Sequence, residues 1–363
     1  MFVLDSLVEE GYFYAISLIF QGGQILRNSI SLSAIMGIPI RVTKIRAGRS
    51  KPGLAAQHLK GIQLVASMCR ARLKGDRIGS TEIEFIPGKI RGGHYSVDVH
   101  TAGSISLLIQ VALPCALLAD GPVTLDLRGG TNADMAPQVD YMTEIFRQAL
   151  KKFNADFQLN IHKRGYFPKG GGRVTVNIKP VTHFKTVNLI DRGSVETING
   201  WVFVAGSLPI KMAYEMAEGA KQALADQQLS LECYKEDSDV APDNCSGIII
   251  SCTFSSGYII GSDGLGRRGM EPEAVGRLAG ELLQKELETG ACVDIHTQDQ
   301  IIIYMTLASG KSAIRVGEVT LHTKTAIHVA ELITKTKFNI TTEGSTNIIE
   351  CEGIAFKNDG ANW

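Results

Sequence analysis

A histidine flanked by hydroxyl side chains is the clearest candidate for chemistry in this sequence. His322 lies in residues 319–328 (Val-Thr-Leu-His-Thr-Lys-Thr-Ala-Ile-His), where Thr320 and Thr323 supply hydrogen-bond donors. A histidine side chain is largely neutral at physiological pH, so one ring nitrogen is available as a nucleophile, a general base or a phosphate ligand. A purely structural histidine is the competing interpretation. His328 is interpreted as a packing or surface residue.

Asp299 and Gln300 precede this histidine by about twenty residues. A carboxylate beside an amide suits a divalent cation and a phosphate oxygen, because Mg²⁺ prefers hard oxygen ligands. The pair carries no information by itself.

Two glycine-rich segments suggest phosphate or RNA contacts. Residues 22–27 (Gly-Gly-Gln-Ile-Leu-Arg) place glycines, an amide and a guanidinium at a predicted helix start, although such short runs are common turns. Residues 163–173 (Lys-Arg-Gly-Tyr-Phe-Pro-Lys-Gly-Gly-Gly-Arg) combine three consecutive glycines with four cations and two aromatic rings. Such a backbone can approach RNA closely and offers both charge and stacking. A charged hairpin is the competing interpretation. The sequence has no Walker loop, no GxGxxG and no HExxH, so any ATP is bound without a P-loop.

The composition is that of a soluble globular protein. Of 363 residues, 44% are hydrophobic and 20% are charged, and Lys+Arg equals Asp+Glu at 37 each, so global charge gives no support to a nucleic-acid partner. A local cluster does, because residues 41–51 carry five cations and no acid. Seven scattered cysteines suit a reducing compartment, and the apolar run 12–20 is too short to span a bilayer. We expect a soluble intracellular protein with no membrane partner.

The elements that position these residues follow a helix–strand–loop–helix pattern that occurs three times. In each copy a polar loop precedes a helix N-terminus, where free N–H groups and the helix dipole favour anions. The competing interpretation is ordinary alternation, because many α/β proteins alternate in this way. In the first copy we predict a helix at 24–36, a strand at 38–45, a loop at 46–53 and a second helix at 55–73. In the second copy the same four elements are predicted at 103–118, 123–127, 128–134 and 137–153. In the third copy they are predicted at 300–308 (helix or strand), 313–316 and 317–323, followed by a helix that ends near 338.

A stretch with a different pattern of predicted elements lies between the second and third copies. Residues 183–290 contain predicted strands at 201–207 and 247–254, helices at 212–225 and 273–288, and an acidic loop at 232–243. This predicts an inserted α/β domain, with residues 1–182 holding the first two repeat units and 291–363 the third.

Taken together, the segments resemble the RNA 3′-terminal phosphate cyclase family over nearly the whole chain. Many landmarks in the right order make the resemblance specific. They are residues 22–27, 45–54, Gln57-His58, 101–104, Gln110, 119–122, 129–132, Ala136-Pro137, 165–172, Asp299-Gln300 and 320–322.

The resemblance implies an α+β fold with a core of three βαβαββ-type units plus a small inserted α/β domain. It also implies an enzyme that joins His322 to AMP using ATP, passes AMP to an RNA 3′-phosphate, and closes a 2′,3′-cyclic phosphate. It further implies Mg²⁺ or Mn²⁺ and, from eukaryotic members, a location in the nucleus, with the cytoplasm as a second compartment. No obligate protein partner is evident.

The same resemblance assigns the remaining site residues by position. His322 is the catalytic residue and Asp299 and Glu10 are the metal ligands. ATP would contact Gln24, Arg27, Gln110, Pro137, His296, Asp299 and Gln300. RNA and its phosphates would contact Arg46, Arg49, Gln57 and Lys169.

Two departures from the family pattern stand out. His296 takes the place of a tyrosine that would stack on adenine. At the N-terminus, Tyr12–Gln21 separates Glu10-Gly11 from Gly22-Gly23-Gln24, and removing those ten residues restores the family's Glu-Gly-Gly-Gly-Gln. We hypothesise a gene-model artefact or an aberrant splice form, and an isoform with this segment is expected to bind ATP less well.

Two further functions are compatible with a repeated α/β architecture of this kind. One is a non-catalytic cyclase-like protein that serves as a ribosome-assembly factor. Such proteins lack the histidine nucleophile, so His322 and the Asp299-Gln300 pair disfavour this function. The second is an enolpyruvyl-type transferase, which residues 165–172 and 320–322 disfavour.

Overall fold

The computed structural model describes residues 14–17 and 23–360, and they form four four-stranded sheets with helices packed against them. This mixed content confirms the predicted α+β class. Three of the sheets share one plan: the first strand is parallel to the second, the second is antiparallel to the fourth, and the fourth is antiparallel to the third. Each of these units therefore follows the order β–α–β–α–β–β.

In the first unit, the opening strand falls inside the ten-residue segment that departs from the family pattern. Its residues pair in parallel from Tyr14 with Ile40 to Ser17 with Thr43. The second helix ends earlier than predicted because Arg70 adopts a left-handed conformation with φ 49°. The elements are β1 (Tyr14–Ser17), α1 (Gly23–Met36), β2 (Ile40–Thr43), α2 (Ala56–Cys69), β3 (Arg72–Lys74) and β4 (Ile83–Ile86).

In the second unit, the helix after the central strand is interrupted by a π-helical segment. The preceding helix begins at a serine cap, since the Ser104 hydroxyl accepts a hydrogen bond from Leu107 N at 3.3 Å. The elements are β5 (Gly93–Asp98), α3 (Ile105–Ala116), β6 (Val123–Gly129), α4 (Val139–Tyr141), the π-helical segment Met142–Phe146, α5 (Arg147–Lys152), β7 (Phe157–Lys163) and β8 (Gly172–Ile178).

The third unit begins with a short strand and is then interrupted by the fourth sheet. That sheet and its two helices bury an apolar cluster of their own, including Val202, Met216, Ile250 and Leu283. The predicted boundaries at 183 and 290 stay predictions. The elements are β9 (Asn188–Leu189), then β10 (Val195–Ala205), α6 (Lys211–Ala223), β11 (Leu229–Lys235), β12 (Cys245–Phe254), β13 (Ile259–Leu265) and α7 (Pro272–Thr289) of the interrupting sheet.

The third unit then resumes and carries the candidate histidine. Its first strand, β9, pairs in parallel with the strand that follows the next helix, across the whole interruption. Within the described residues, no helix is long and apolar enough to cross a membrane. The elements are α8 (Gln298–Leu307), β14 (Lys311–Val316), α9 (Leu321–Thr334), β15 (Phe338–Glu343) and β16 (Thr346–Glu352).

Candidate active site

The helix that carries His322 starts at a well-formed cap. The Thr320 hydroxyl accepts a hydrogen bond from Thr323 N at 3.1 Å, which satisfies one of the free N–H groups of α9. His322 is the second residue of that helix and is exposed. The imidazole therefore stands in solvent at the positive end of a helix dipole, a position that favours an anionic ligand.

Gln24 joins His322 to Asp299. It lies in the first turn of α1 and is 5% exposed. Its side-chain Oε1 contacts Nδ1 of His322, and its Nε2 donates a hydrogen bond to Oδ2 of Asp299. Residues from the first and third units, far apart in sequence, thus meet in one hydrogen-bonded chain.

This hydrogen-bonded chain determines which nitrogen of His322 carries the proton. A carboxylate only accepts hydrogen bonds, so the amide nitrogen of Gln24 faces Asp299 and the amide oxygen faces the imidazole. The amide oxygen is also only an acceptor, so Nδ1 of His322 is the donor. In the neutral ring, Nε2 then keeps its lone pair and is free to react.

The N-termini of four helices meet around Gln24. Gln24, Asp299 and His322 lie in the first turns of α1, α8 and α9, respectively. The N-terminus of α2 joins them through His58, because a Cβ added at Gly23 would lie 2.2 Å from His58 Nε2. No residue larger than glycine fits at position 23 with this arrangement, and the converging dipoles make the region favourable for phosphates.

Charges buried in this cluster perturb one another. Burial lowers the pKa of Arg27 to about 10, while the charge of Asp299 opposes that fall, so the guanidinium stays protonated at neutral pH. Burial raises the pKa of Asp299, and the hydrogen bond from Gln24 and the charge of Arg27 oppose the rise. Arg27 therefore supplies a fixed positive charge next to Asp299.

The predicted phosphate residues of the first unit lie partly against this cluster. Gln57 lines a pocket together with Arg27 and His58, and its Oε1 accepts a hydrogen bond from Ser104 N at 3.2 Å. Arg46 donates to the Gly53 carbonyl at 3.0 Å, and its charge acts on His58.

Two other residues that are predicted to bind phosphate do not take part in these contacts. Gln110 is half-buried on α3, one turn after Leu107, which lines the same pocket. Arg49 is exposed on the loop before α2.

The predicted adenine residues lie on another side of the site. His296 Nε2 is 4.0 Å from Oδ1 of Asp263, and the Tyr141 ring meets the imidazole edge-on with centroids 5.8 Å apart. Pro137 precedes Gln138, whose backbone N–H donates to Oδ2 of the same Asp263 at 3.3 Å. Asp263 thus contacts both His296 and the residue that follows Pro137.

The remaining predicted residues are placed as follows. Gln300 donates from Nε2 to the His296 carbonyl at 2.5 Å, and its buried Oε1 has no partner among the described residues. Lys169 is 74% exposed and pairs with Asp243 at 2.6 Å, in contact with the interrupting sheet. Glu10 lies outside the described residues.

A metal site is not formed by the described residues alone. Asp299 is the one predicted metal ligand among them, and they contain no group of three His, Cys, Asp or Glu side chains able to hold an ion.

The family model for RNA 3′-terminal phosphate cyclase matches residues 18–340. The chain belongs to this family. Relatives named RNA 3′-terminal phosphate cyclase occur in distant organisms. One from Drosophila melanogaster is 39% identical over 342 residues, which cover 93% of this chain and 95% of the relative. One from Pyrobaculum aerophilum is 38% identical over 335 residues, covering 92% and 96%. One from Nitrosospira multiformis is 37% identical over 325 residues, covering 89% and 91%.

Membership of the cyclase family makes this chain an enzyme, which confirms that prediction and leaves the ribosome-assembly and enolpyruvyl functions without support. The predicted role of each site residue is untested by family membership and stays a prediction.

Sequence reasoning gave no role to several residues of the cyclase site. Asp294 is fully buried and accepts hydrogen bonds from the Tyr141 hydroxyl and from the backbone N–H groups of His296 and Thr297. This network fixes the turn that leads into α8 and therefore the position of Asp299. An isolated aspartate gives no sequence signal for such a role, because its donors come from a distant helix, from Gly261 on β13 and from its own turn.

His58 is held neutral in this cyclase, which predicts a pH-dependent stability. Burial, followed by the charges of Arg27 and Arg46, lowers the pKa of His58 to about 4 from an unfolded value of 6.5. Between these values the unfolded chain binds more protons than the folded one, so stability falls as pH falls from about 6.5 to about 4. The expected loss is about 1.4 kcal/mol per pH unit.

Urea titrations across that window measure the effect. Gln can accept the hydrogen bond that Ala55 N donates to His58 Nδ1, so His58→Gln is the matched variant. We expect a flatter pH dependence in His58→Gln than in the wild type, and equal slopes would contradict the assignment.

Proposed function

We propose that this protein uses ATP to convert an RNA 3′-phosphate into a 2′,3′-cyclic phosphate, through a histidine–AMP and an RNA(3′)pp(5′)A intermediate. The names of its relatives supply the substrate class. The observation that carries the proposal is the Gln24 bridge, which leaves Nε2 of an exposed His322 free at the meeting point of four helix N-termini.

In the first step, His322 Nε2 attacks the α-phosphorus of ATP. A nitrogen–phosphorus bond forms, the bond to the β-phosphate oxygen breaks, and pyrophosphate leaves with the electron pair. The ring becomes positively charged as the bond forms, and its Nδ1–H remains bonded to Gln24 Oε1. The Asp299 carboxylate behind Gln24 offsets that charge, and Arg27 and the helix N-termini favour the triphosphate.

In the second step, an oxygen of the RNA 3′-phosphate attacks the same phosphorus. The nitrogen–phosphorus bond breaks and returns its electron pair to Nε2, which leaves RNA(3′)pp(5′)A. A phosphate monoester is a poor electrophile without such activation, because it lacks a good leaving group. The transfer gives the RNA phosphate AMP as its leaving group.

In the last step, the vicinal 2′-OH attacks the activated 3′-phosphorus. The new oxygen–phosphorus bond closes the ring, the bond to AMP breaks, and the hydroxyl proton passes to solvent. The attack is intramolecular, so its effective molarity is high. We place Arg46, Arg49 and Gln57 at the RNA phosphates, Lys169 farther along the RNA, and Pro137, His296, Gln110 and Gln300 at the nucleotide.

An end-labelled RNA with a 3′-phosphate tests this proposal. With ATP, we expect its end to become resistant to phosphatase, and an otherwise identical RNA with a 3′-OH to remain unchanged. An RNA whose last nucleotide lacks the 2′-OH should stop at the AMP-capped intermediate. A 3′-phosphate that stays sensitive to phosphatase in the presence of ATP and folded protein would refute the proposed reaction.

A further inference from the structure

Asp263 is a nearly buried carboxyl group that none of the assignments above explains. It lies on β13, in the interrupting sheet, and its side chain is 11% exposed. Its Oδ2 accepts from Gln138 N at 3.3 Å. Its Oδ1 faces His296 Nε2 at 4.0 Å, which is too long for a hydrogen bond.

A carboxyl group in this position is short of donors. Burial raises the pKa of Asp263, and the charge of His296 and the hydrogen bonds from the backbone and side chain of Gln138 only partly oppose the rise. Buried carboxylates normally accept several hydrogen bonds, since leaving an oxygen without one costs free energy. A ligand that brings an N–H group to Oδ1 would therefore bind with a favourable hydrogen bond that the protein itself does not make.

The surroundings indicate what that ligand is. Asp263 contacts His296 and the backbone of the residue that follows Pro137, and the rings of a histidine and a proline can both pack on a planar base. The Tyr141 ring, edge-on to His296, and the bond from His296 N to Asp294 at 3.0 Å hold the imidazole in place.

We propose that Asp263 accepts a hydrogen bond from the exocyclic amine of adenine and so selects ATP over GTP. This rests on the proposed function, which places the base of ATP between Pro137 and His296. Adenine carries a donor amine where guanine carries an acceptor oxygen. A carboxylate attracts the donor amine of adenine and repels the acceptor oxygen of guanine. A site that forms a hydrogen bond with one such group disfavours analogues that lack the group.

The test compares three nucleotides in the labelling of His322: ATP, GTP, and purine riboside triphosphate, which is ATP without its exocyclic amine. Intact-protein mass spectrometry follows each rate of adduct formation. In the wild type we expect ATP to react about 10- to 100-fold faster than the analogue without the amine. Equal rates for these two in the wild type would overturn the inference without any variant.

Asp263→Asn is the matched variant, because its amide oxygen can still accept from Gln138 N while its amide nitrogen faces the base. We expect the preference for ATP over purine riboside triphosphate to fall about tenfold and GTP to react faster than with the wild type. Asp134→Asn removes an exposed carboxylate near Pro137 that pairs with Arg267 at 3.2 Å, and it should leave both ratios unchanged.

The outcomes separate the inference from the proposed function. If Asp263→Asn slows all three nucleotides equally, Asp263 only positions His296 and the inference is wrong while the proposed function stands. If the wild type forms no adduct even with ATP, the proposed function fails and takes the inference with it.

Discussion

His322→Ala is expected to abolish covalent labelling of the protein by ATP that is radiolabelled in its α-phosphate. No other imidazole is held by Gln24 at this junction, among the residues that the structure describes. Loss of a nucleophile removes the covalent route rather than weakening it, so we expect a fall of at least about 10³-fold in both labelling and RNA cyclisation. Denaturing gels after incubation with the nucleotide measure the first, and the phosphatase assay measures the second.

The control for this variant is His162→Ala. His162 is exposed on β7 and contacts Thr175 Oγ1 at 2.8 Å, so it is a histidine in a different unit with a surface role. The His162→Ala protein should be labelled by ATP to the same extent as the wild type. A phosphoramidate bond is labile to acid and stable to alkali, so the label should show that pattern. Undiminished labelling of His322→Ala would mean that another side chain is the nucleophile.

Gln24→Leu is expected to produce the second largest loss, about 10²-fold in the rate of His322 labelling. Leucine fills a similar volume but neither accepts from Nδ1 of His322 nor donates to Asp299. The imidazole then exchanges between its two tautomers and rotates more freely. A wrong tautomer is among the most damaging changes that an enzyme with a reacting histidine can suffer.

A spectroscopic measurement distinguishes this role from simple damage to the fold. The ¹⁵N shifts of the His322 ring should show a proton on Nδ1 in the wild type and a mixture of tautomers in Gln24→Leu. Asn28→Ala changes a half-buried residue of the same helix and should leave both the shifts and the rate as they are. A Gln24→Leu protein with normal shifts and a reduced rate would assign the loss to something other than the tautomer.

Local sequence pattern is enough to find most helices and the strand-to-helix junctions. Apolar spacing predicts α1, α7 and α9. The loop predicted at 317–323 extends too far, because α9 already begins at Leu321, directly after the Thr320 cap. The segment 300–308, whose sequence allows either helix or strand, is helical as far as Leu307. It is buried on nearly all sides, so its apolar residues show no face that periodicity could detect.

Two strands of the interrupting sheet escape prediction for identifiable physical reasons. The predicted acidic loop begins within β11, because this edge strand has one exposed face where Glu232 is tolerated. β13 contains Gly261 and Asp263, which are rare in strands. Gly261 is required there, since a Cβ would lie 2.4 Å from the Ile145 side chain of the π-helical segment.

The site is predictable as a set of residues but not as a set of contacts. Resemblance gives His322, Asp299 and Gln24 positions along the chain. It does not give the amide orientation that leaves Nε2 free, because that depends on which group stands on each side of Gln24. Asp263 is invisible in the sequence for the opposite reason: no family pattern marks it, and only the fold brings it to His296.

Gln24 and His322 touch although 298 residues separate them. In the proposed mechanism, reactivity toward ATP is thus acquired only late in synthesis, when α9 packs against α1. A chain terminated before residue 322 would carry the amide without the imidazole. On the same proposal, such a premature product would form no adduct with ATP, however well its first two sheets fold.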